Sequence, residues 1–255
     1  MEMILTIENL NKSFGGIHAT KNVSFDVHKG EILGILGPNG AGKTTLFNQI
    51  SGFIKPDTGK IMFEGKNILG DKPHQLANMG LARTFQLVRP FHGMSIKENL
   101  LVPFLSPRGK DVLKKSLAEG KTMDDLILEL AKGVGLGTKV EENIDQLPHG
   151  ALKKLEIAKV SAIEPSLIML DEPFGGLTTD EIESLSEYIR KLNQEKGITF
   201  VIIEHRLREF MKLVSRVGVL NYGEKIAVGT PNEIINNELV IEAYLGKGGS
   251  KVASA

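Results

Sequence analysis

The residue types and spacing most suggestive of chemistry lie in a glycine-rich segment that ends in a lysine and a threonine. The segment reads Gly37-Pro38-Asn39-Gly40-Ala41-Gly42-Lys43-Thr44 and stands between an apolar run and a stretch of helical character. Glycines let backbone N–H groups curl around phosphate oxygens, the Lys43 ammonium supplies charge to the β- and γ-phosphates, and the Thr44 hydroxyl can ligate Mg²⁺. A glycine-rich structural turn is the alternative, but the strand and helix on either side favour phosphate binding. This phosphate loop, residues 37–44, therefore predicts a nucleoside triphosphate site.

A second chemical feature is a pair of carboxylates at the end of an apolar strand. The stretch reads Leu167-Ile168-Met169-Leu170-Asp171-Glu172. Asp171 can reach Mg²⁺ through its water ligands, whereas Glu172 can point at the γ-phosphate and orient an attacking water. Consecutive strand residues face opposite sides of a sheet, so the two carboxylates should have different roles. An acidic strand end alone is usually a solvated edge, but together with a phosphate loop it predicts metal binding and hydrolysis.

Short strands alternate with helices around these motifs. The predicted strands are 4–10, 23–27, 32–36, 60–63, 167–170, 199–203 and 217–220. The predicted helices are 43–51, one beginning near Pro73, one from about 178 to 195, and two late ones, with turns at 64–65 and 221–224. Residues 89–162 have helical periods broken by prolines and glycines, which indicates a helical insertion. This alternation predicts an α/β protein with a parallel sheet and crossover helices.

Composition narrows the class of protein. The chain has 255 residues, of which 41% are hydrophobic, so it can bury a sizeable core, and we expect a soluble globular protein. Lys plus Arg equal Asp plus Glu at 31 each, so net charge does not point to a nucleic acid or an anionic membrane. The absence of cysteine excludes disulfides, thiolate nucleophiles and cysteine metal sites. The start, MEMILTIENL, lacks the basic region of a signal peptide, and no apolar run is long enough to span a membrane.

Three further stretches complete a pattern that resembles the ATP-binding subunits of ABC transporters. They are Ala82-Arg83-Thr84-Phe85-Gln86, Leu147-Pro148-His149-Gly150-Ala151 and Ile203-Glu204-His205. With the two motifs above, their order resembles that family over nearly the whole chain. The resemblance implies a P-loop NTPase core with a mainly parallel sheet, an N-terminal antiparallel β subdomain and an inserted helical subdomain. It places the core at 1–86 and 163–245, the helical signature subdomain at 87–162 and a flexible tail at 246–255. It also implies a head-to-tail dimer that encloses two ATP molecules with Mg²⁺.

Roles for single residues follow from the same resemblance. Phe14 would stack on adenine, Gln86 would sense the γ-phosphate and metal, and His205 would contact the γ-phosphate. Taken singly, Phe14 is more often a packing residue, Gln86 a surface amide, and His205 a solvated or core histidine. The implied ATP-binding set is Phe14, Gly37, Pro38, Asn39, Gly40, Ala41, Gly42, Lys43, Thr44, Thr45 and Gln86. The implied metal ligands are Thr44, Gln86 and Asp171, and the implied catalytic residues are Lys43, Glu172 and His205.

Two segments resemble the ATPases of branched-chain amino acid importers more closely. They are GLARTFQLVRPFHGMSIKENLLV, residues 80–102, and NNELVIEAYLG, residues 236–246. The implied partners are transmembrane permease subunits, which would dock near 86–94, a second ATP-binding subunit as a homo- or heterodimer, and indirectly a substrate-binding protein. No nucleic acid partner is implied, and the chain would lie peripherally on the cytoplasmic side of the membrane. Phe91 and Met94 could equally be core residues. Import of urea, lipid or sugar, a soluble ABC ATPase that acts on DNA or ribosomes, and an ATP sensor with little hydrolysis remain alternatives.

The chain departs from the family pattern at the signature and after the catalytic carboxylate. In place of Leu-Ser-Gly-Gly-Gln it has residues 147–151, which by the resemblance would hold the γ-phosphate bound by the opposite subunit. Pro148 has neither a hydroxyl nor an N–H, so at most the N–H groups of the next three residues and the His149 ring remain. Lys153 and Lys154 are expected in the first helical turn, either near that phosphate or as a solvated face. Where relatives carry an aspartate, Thr178 begins a T-x-x-E pattern that predicts a helix capping box.

Overall fold

The structure is a computed structural model that describes residues 2–85 and 89–245. The predicted γ-phosphate sensor, Gln86, and the predicted tail at 246–255 lie outside the described residues. Two compact units divide the chain, one formed by the described residues of 1–73 and 199–255 and the other by those of 74–198. The domain boundaries expected from the sequence remain a prediction.

Strands and helices alternate along the described chain. The strands are β1 Met3–Phe14, β2 Ile17–His28, β3 Ile32–Leu36, β4 Thr58–Phe63, β5 Lys66–Asn67, β6 Leu81–Arg83, β7 Leu167–Asp171, β8 Thr199–Ile203, β9 Arg216–Asn221 and β10 Glu224–Gly229. The α-helices are α1 Lys43–Ile50, α2 Pro73–Met79, α3 Ile96–Leu101, α4 Pro107–Ala118, α5 Met123–Gly133, α6 His149–Ser161, α7 Thr179–Lys196, α8 Leu207–Leu213, α9 Pro231–Ile235 and α10 Glu238–Leu245. Short 3₁₀ helices lie at Val102–Leu105, Gly137–Lys139 and Ile144–Gln146.

The first unit contains an antiparallel sheet in the order β2-β1-β4-β5. In β2 the side chains of Val23, Phe25 and Val27 are buried and alternate with more exposed neighbours, which is the period of a sheet with one face on the core. The sequence predicted the centres of β1 and β2, but both strands extend to 12 residues. The sheet confirms the expected antiparallel β part near the N-terminus.

The first unit also contains strands in the order β10-β9-β3-β8. β9 and β8 run parallel to β3, and β10 pairs antiparallel with β9 through the predicted turn at Tyr222 and Gly223. Every residue of β3 and β8 is buried, which explains why both read as continuous apolar runs without alternation. Ile35 lies opposite Ile203, so the carboxyl ends of β3 and β8 meet at one edge. That edge carries the phosphate loop.

The second unit combines the parallel pair β6 and β7 with six helices, α2 to α7. The long helix α7 buries one face through Ile182, Leu185, Ile189 and Leu192. The helical character predicted for 89–162 is present in α3 to α6. The sequence analysis did not predict β5, β6 or α8, which have two, three and seven residues. The parallel strands, antiparallel sheet and helices together confirm the predicted α/β class.

Candidate nucleotide-binding site

The phosphate loop joins β3 to α1 in a conformation that only glycine adopts easily. Gly37 has φ 153° and Gly42, the N-cap of α1, has φ 98°. A Cβ at either position would press into a backbone carbonyl, that of Leu220 at Gly37 and that of Ala19 at Gly42. The glycines therefore let neighbouring backbone approach the loop closely. Because Gly42 has no side chain, it cannot cap the first amides of α1, and such amides suit an anion.

Lys43 places a positive charge inside the loop. Its side chain is buried, and its Nζ donates to the carbonyl oxygens of Gly37 at 2.7 Å and Pro38 at 3.0 Å. A buried ammonium needs such acceptors to offset the loss of water. Thr44 is exposed and Thr45 is half-buried in the first turn of α1, and Asn39 and Gly40 are exposed at the tip of the loop. The lysine is thus oriented toward the backbone that would surround a phosphate.

Two distant parts of the first unit anchor the phosphate loop. The turn after β9 contributes the N–H of Gly223, which donates to the carbonyl oxygen of Ala41 at 3.1 Å. From α10, the hydroxyl oxygen of Tyr244 accepts a hydrogen bond from the N–H of Gly37 at 3.0 Å. Burial raises the pKa of Tyr244, so the hydroxyl stays protonated at neutral pH. No role was predicted for Tyr244, and the available signal was its place in the segment 236–246.

Phe14, the predicted adenine-stacking residue, is the last residue of β1 and its side chain is 49% exposed. The Nζ of Lys12 lies 5.5 Å from the centre of the Phe14 ring. An aromatic ring this exposed is not a core residue, so the packing alternative is wrong for Phe14. Its stacking on adenine stays a prediction.

His205 is the second residue after β8 and is exposed. Its backbone N–H donates to Oε2 of the buried Glu204 at 2.9 Å, which fixes the main chain at the strand end. Since β8 lies beside β3, His205 and the phosphate loop follow the same edge of the sheet. The exposure excludes the core alternative for His205 and leaves the solvated one open.

Asp171 ends β7 in a buried ion pair that the sequence did not reveal. Its Oδ2 accepts a hydrogen bond from Nη2 of Arg83 at 2.9 Å, and both side chains are 6% exposed. Burial lowers the pKa of the Arg83 guanidinium, and the hydrogen bond and charge of Asp171 raise it. Because arginine is not deprotonated in proteins, the Arg83 side chain remains a cation. A charged residue inside the short apolar strand β6 was the available signal for this pair.

Glu172 lies beyond the strand rather than in it. Its φ of 50° places the residue in the left-handed region, which costs a non-glycine residue on the order of 1 kcal/mol or more. The prediction that Asp171 and Glu172 face opposite sides of one strand is therefore wrong in its reason, because the chain turns between them. The Glu172 carbonyl oxygen accepts two hydrogen bonds, from the N–H of Gly175 at 3.2 Å and from Nζ of Lys153 at 2.9 Å. A small recess is lined by both carboxylate residues and Lys153.

The signature segment, residues 147–151, forms the start of α6. Leu147 is buried, whereas Pro148, the N-cap with φ −64° and ψ 157°, and His149 are exposed. The N–H of Ala151 already donates to the carbonyl oxygen of Pro148 at 3.0 Å. Among the described residues, no acceptor is seen for the N–H groups of His149 and Gly150. Two of the three expected amide donors therefore remain available to a ligand.

The two lysines near the signature do not lie where the sequence placed them. Because α6 begins at His149, Lys153 and Lys154 are in its second turn, and the expectation of a basic first turn is wrong. Lys153 is only 7% exposed and bonds the Glu172 carbonyl, so the solvated-face interpretation fails for it. Lys154 is half-buried and its Nζ donates to the hydroxyl of Ser184 at 2.9 Å.

Two further predictions concern the second unit. The capping box at Thr178 is confirmed: the Thr178 hydroxyl accepts from the N–H of Glu181, and the Glu181 carboxylate accepts from the N–H of Thr178. In the segment expected to face the permease, Phe91 is 44% exposed and Met94 is half-buried. The core alternative is therefore wrong for Phe91, whose ring lies 4.7 Å from Nζ of Lys159.

Thr44 and Asp171 offer the oxygen ligands that Mg²⁺ prefers, a hydroxyl and a carboxylate. Within the described ranges, no group of three or more His, Cys, Asp or Glu side chains forms a metal-binding cluster of its own. Each residue alone has a ligand type suited to Mg²⁺, and their binding of one shared ion stays a prediction. Separately, none of the helices in the described part of the chain has the length and apolar character to span a membrane.

Comparison with known proteins gives two family matches. A family model described as ABC transporter matches residues 20–175, and one described as branched-chain amino acid ATP-binding cassette transporter matches residues 224–250. Among solved structures, the ADP conformation of MJ1267, an ATP-binding cassette of an ABC transporter, has a TM-score of 0.83 at 32% identity and covers 97% of this chain and 100% of that one. CbiO1 from Clostridium perfringens has a TM-score of 0.81 at 26% identity, with 99% and 100% covered. The expected ABC-type P-loop fold is thereby confirmed.

Relatives with assigned names match over nearly their whole length. The high-affinity branched-chain amino acid transport ATP-binding protein LivG of Salmonella typhimurium is 38% identical over 251 residues, which is 96% of this chain and 98% of the relative. The probable LivG protein of Archaeoglobus fulgidus is 35% identical, with 98% of both chains covered. BraF of Pseudomonas aeruginosa is 37% identical, with 96% and 98% covered. The chain therefore belongs to the ABC transporter family, within the group of branched-chain amino acid transport ATP-binding proteins.

Proposed function

We propose that this chain is the ATP-hydrolysing subunit of an importer for branched-chain amino acids. It would work as a dimer on the cytoplasmic face of the membrane, bound to transmembrane permease subunits, with a substrate-binding protein as an indirect partner. The observation that carries the proposal is the phosphate loop, with its inward lysine and positive-φ glycines, in a chain that matches relatives named for branched-chain amino acid transport over 96% of its length.

Residues of the first unit would bind the nucleotide. Phe14 offers an exposed ring for the adenine, and the loop amides face the phosphates. On binding, Lys43 would exchange two carbonyl acceptors for phosphate oxygens, and this exchange is favourable because hydrogen bonds between two charged groups are stronger than those to a neutral carbonyl. His205, at the same sheet edge, would contact the γ-phosphate.

Bound Mg²⁺ would neutralise charge on the β- and γ-phosphates. Thr44 and Asp171 would hold it, Asp171 through water. The Arg83 guanidinium, 2.9 Å from Oδ2, keeps the Asp171 side chain in one orientation.

Hydrolysis would depend on Glu172. Its carboxylate would accept a hydrogen bond from the attacking water and orient it in line with the bond that breaks, while Lys43 and His205 stabilise charge on the γ-phosphate. The signature segment of the opposite subunit would add the N–H groups of His149 and Gly150 at the start of α6, where anions are favoured.

The permease would contact the segment around Phe91. That ring is exposed and lies beside the buried ammonium of Lys159, so the surface offers an apolar contact with a nearby charge. Such a surface suits the docking of a permease segment that has an apolar face.

The test of the proposed function is Glu172→Gln. The variant should bind ATP with unchanged affinity, lose nearly all steady-state hydrolysis, and accumulate as an ATP-bound dimer on size-exclusion chromatography. Unchanged turnover would remove Glu172 from the mechanism. Lys43→Ala is the matched contrast, because it should weaken binding of a fluorescent ATP analogue itself.

Transport specificity needs a second experiment. The permease that co-purifies with the chain is first identified, and the two are then co-expressed. Uptake of labelled leucine into vesicles is compared with uptake of urea and of a sugar. Leucine uptake that requires ATP supports the proposal.

The rate of ATP hydrolysis per subunit, measured against protein concentration, tests the dimer. A rate per subunit that does not rise with protein concentration would instead favour an ATP sensor that does not act as a dimer.

A further inference from the structure

Lys153, in the second turn of α6, contacts the turn that follows β7. Lys153 Nζ donates to the backbone carbonyl oxygen of Glu172 at 2.9 Å, and the side chain is 7% exposed. Gly175 lies against it, since a Cβ at that position would be 3.2 Å from Nζ. The ammonium is thus enclosed between α6 and the turn that follows β7.

The Glu172 backbone needs such a contact to keep its conformation. Its positive φ is unfavourable for a side chain with a Cβ, and the following Pro173 restricts it further. Proline also has no N–H, so the peptide group between the two residues can be held only through its carbonyl oxygen. That oxygen has two donors, the Gly175 N–H at 3.2 Å and the shorter contact from Lys153.

We infer that Lys153 is a positioning residue for Glu172, and that it connects the signature segment to the catalytic carboxylate of the same subunit. The inference rests on the proposed function. Lys153 lies three residues after Gly150, on the same side of α6 and about one turn away. A shift of the signature segment as it closes on a phosphate of the opposite subunit would therefore move the donor that holds Glu172.

This connection links the two nucleotide sites of the dimer. The signature segment acts on the nucleotide of the partner, whereas Glu172 acts on the nucleotide of its own subunit. Through Lys153, closure of the signature segment on the partner's nucleotide would position the Glu172 carboxylate at the subunit's own nucleotide. Lys153 does not touch ATP in this scheme, so its removal should change the rate of the chemical step and leave nucleotide affinity in place.

The experiment compares Lys153→Met with Lys154→Met. Methionine keeps an unbranched chain of similar length without the donor. We expect Lys153→Met to lower kcat by about 10- to 100-fold, because a small displacement of a catalytic group has effects of that size, with KM for ATP within about twofold. Lys154→Met, which loses a partly exposed contact with Ser184 and a nearby charge for Glu181, should keep its kcat within about twofold.

The same substitution in the Glu172→Gln background separates positioning from a general structural effect. If Lys153 acts through Glu172, Lys153→Met should change the residual single-turnover rate by less than about twofold there. An equal fractional loss in both backgrounds, or a loss that appears in KM, would overturn the inference. If Lys153→Met lowers the thermal midpoint strongly, Lys153→Gln takes its place in both backgrounds, since its amide nitrogen ends about one bond length, roughly 1.5 Å, short of the position that Lys153 Nζ occupies. Absence of hydrolysis in the unmodified chain would contradict the proposed function instead.

Discussion

The hydroxyl of Tyr244, in the last described helix, accepts a hydrogen bond from the N–H of Gly37, the first residue of the phosphate loop, at 3.0 Å. The two residues are 207 positions apart in the chain. Tyr244 lies within the segment that matches the branched-chain amino acid family model. That segment is therefore in direct contact with the nucleotide site.

Tyr244→Phe should weaken ATP binding. The change keeps the ring and removes the acceptor for Gly37, and a hydrogen bond of this kind is worth about 1 kcal/mol, which corresponds to an affinity loss of about fivefold. Titration with a fluorescent ATP analogue measures it. Tyr222→Phe, at a tyrosine that is 86% exposed, is the matched control and should bind as the unmodified chain does. Equal affinity in all three proteins would show that the loop does not depend on this contact.

Arg83→Met should destabilise the protein by about 3–5 kcal/mol, because it leaves the buried carboxylate of Asp171 without its ion-pair partner. Urea unfolding at neutral pH measures the free energy. The double variant Arg83→Met, Asp171→Leu should recover most of the loss, since neither charge then remains buried. If the single and double variants are equally unstable, the loss comes from packing and not from the unpaired charge.

Pro148→Ser should strengthen ATP-driven dimerisation in the Glu172→Gln background, since it restores the hydroxyl of the family signature. Pro148→Ala is the matched control, because both changes add a backbone N–H and only serine adds the hydroxyl. Sedimentation in the presence of ATP gives the two dimer affinities. If serine and alanine behave alike, the missing hydroxyl is already compensated, and the exposed ring of His149 is the first group to test.

The capping boxes predict how stability depends on pH. Backbone hydrogen bonds from the cap residues lower the pKa of Glu98, Glu181 and Glu233 below the ordinary 4.5. A lowered folded-state pKa contributes stability that is fully present above about pH 4.5 and is lost as the pH falls through the folded-state value. Changing all three to glutamine keeps the caps but removes the titration, so unfolding free energy should fall less steeply below pH 4.5 than in the unmodified chain. Parallel curves for the two proteins would contradict the assignment.

Continuous apolar runs and helix-capping spacings in the sequence predicted several strands and helices correctly. β3 and β8 are continuous apolar runs with the bounds expected, and the start of α7 follows from the spacing of Thr178 and Glu181. α8 was missed because it is a single short helix whose N-cap, Arg206, makes no side-chain cap bond. β6 was missed because a strand of three residues shows no periodicity and is defined by its pairing with β7.

At the nucleotide site too, contiguous motifs were predictable and contacts between distant residues were not. The phosphate loop is a contiguous motif, so its residues could be named from spacing alone. The contacts of Arg83, Lys153 and Tyr244 join residues 88, 19 and 207 positions apart, and no local pattern encodes such pairs. The left-handed turn at Glu172 was also hidden, because glutamate before proline gives no expectation of positive φ.

The packing of Gly150 against Glu181 changes how variants of the signature segment should be interpreted. A Cβ at position 150 would fall inside the contact radius of the Glu181 carboxylate. That carboxylate cannot easily move away, because its other oxygen accepts from both the N–H and the hydroxyl of Thr178. A substitution at Gly150 would therefore distort the start of α7 as well as the signature amides. Lost activity in such a variant could not be attributed to phosphate contact, and a replacement at the exposed His149 would report on it more cleanly.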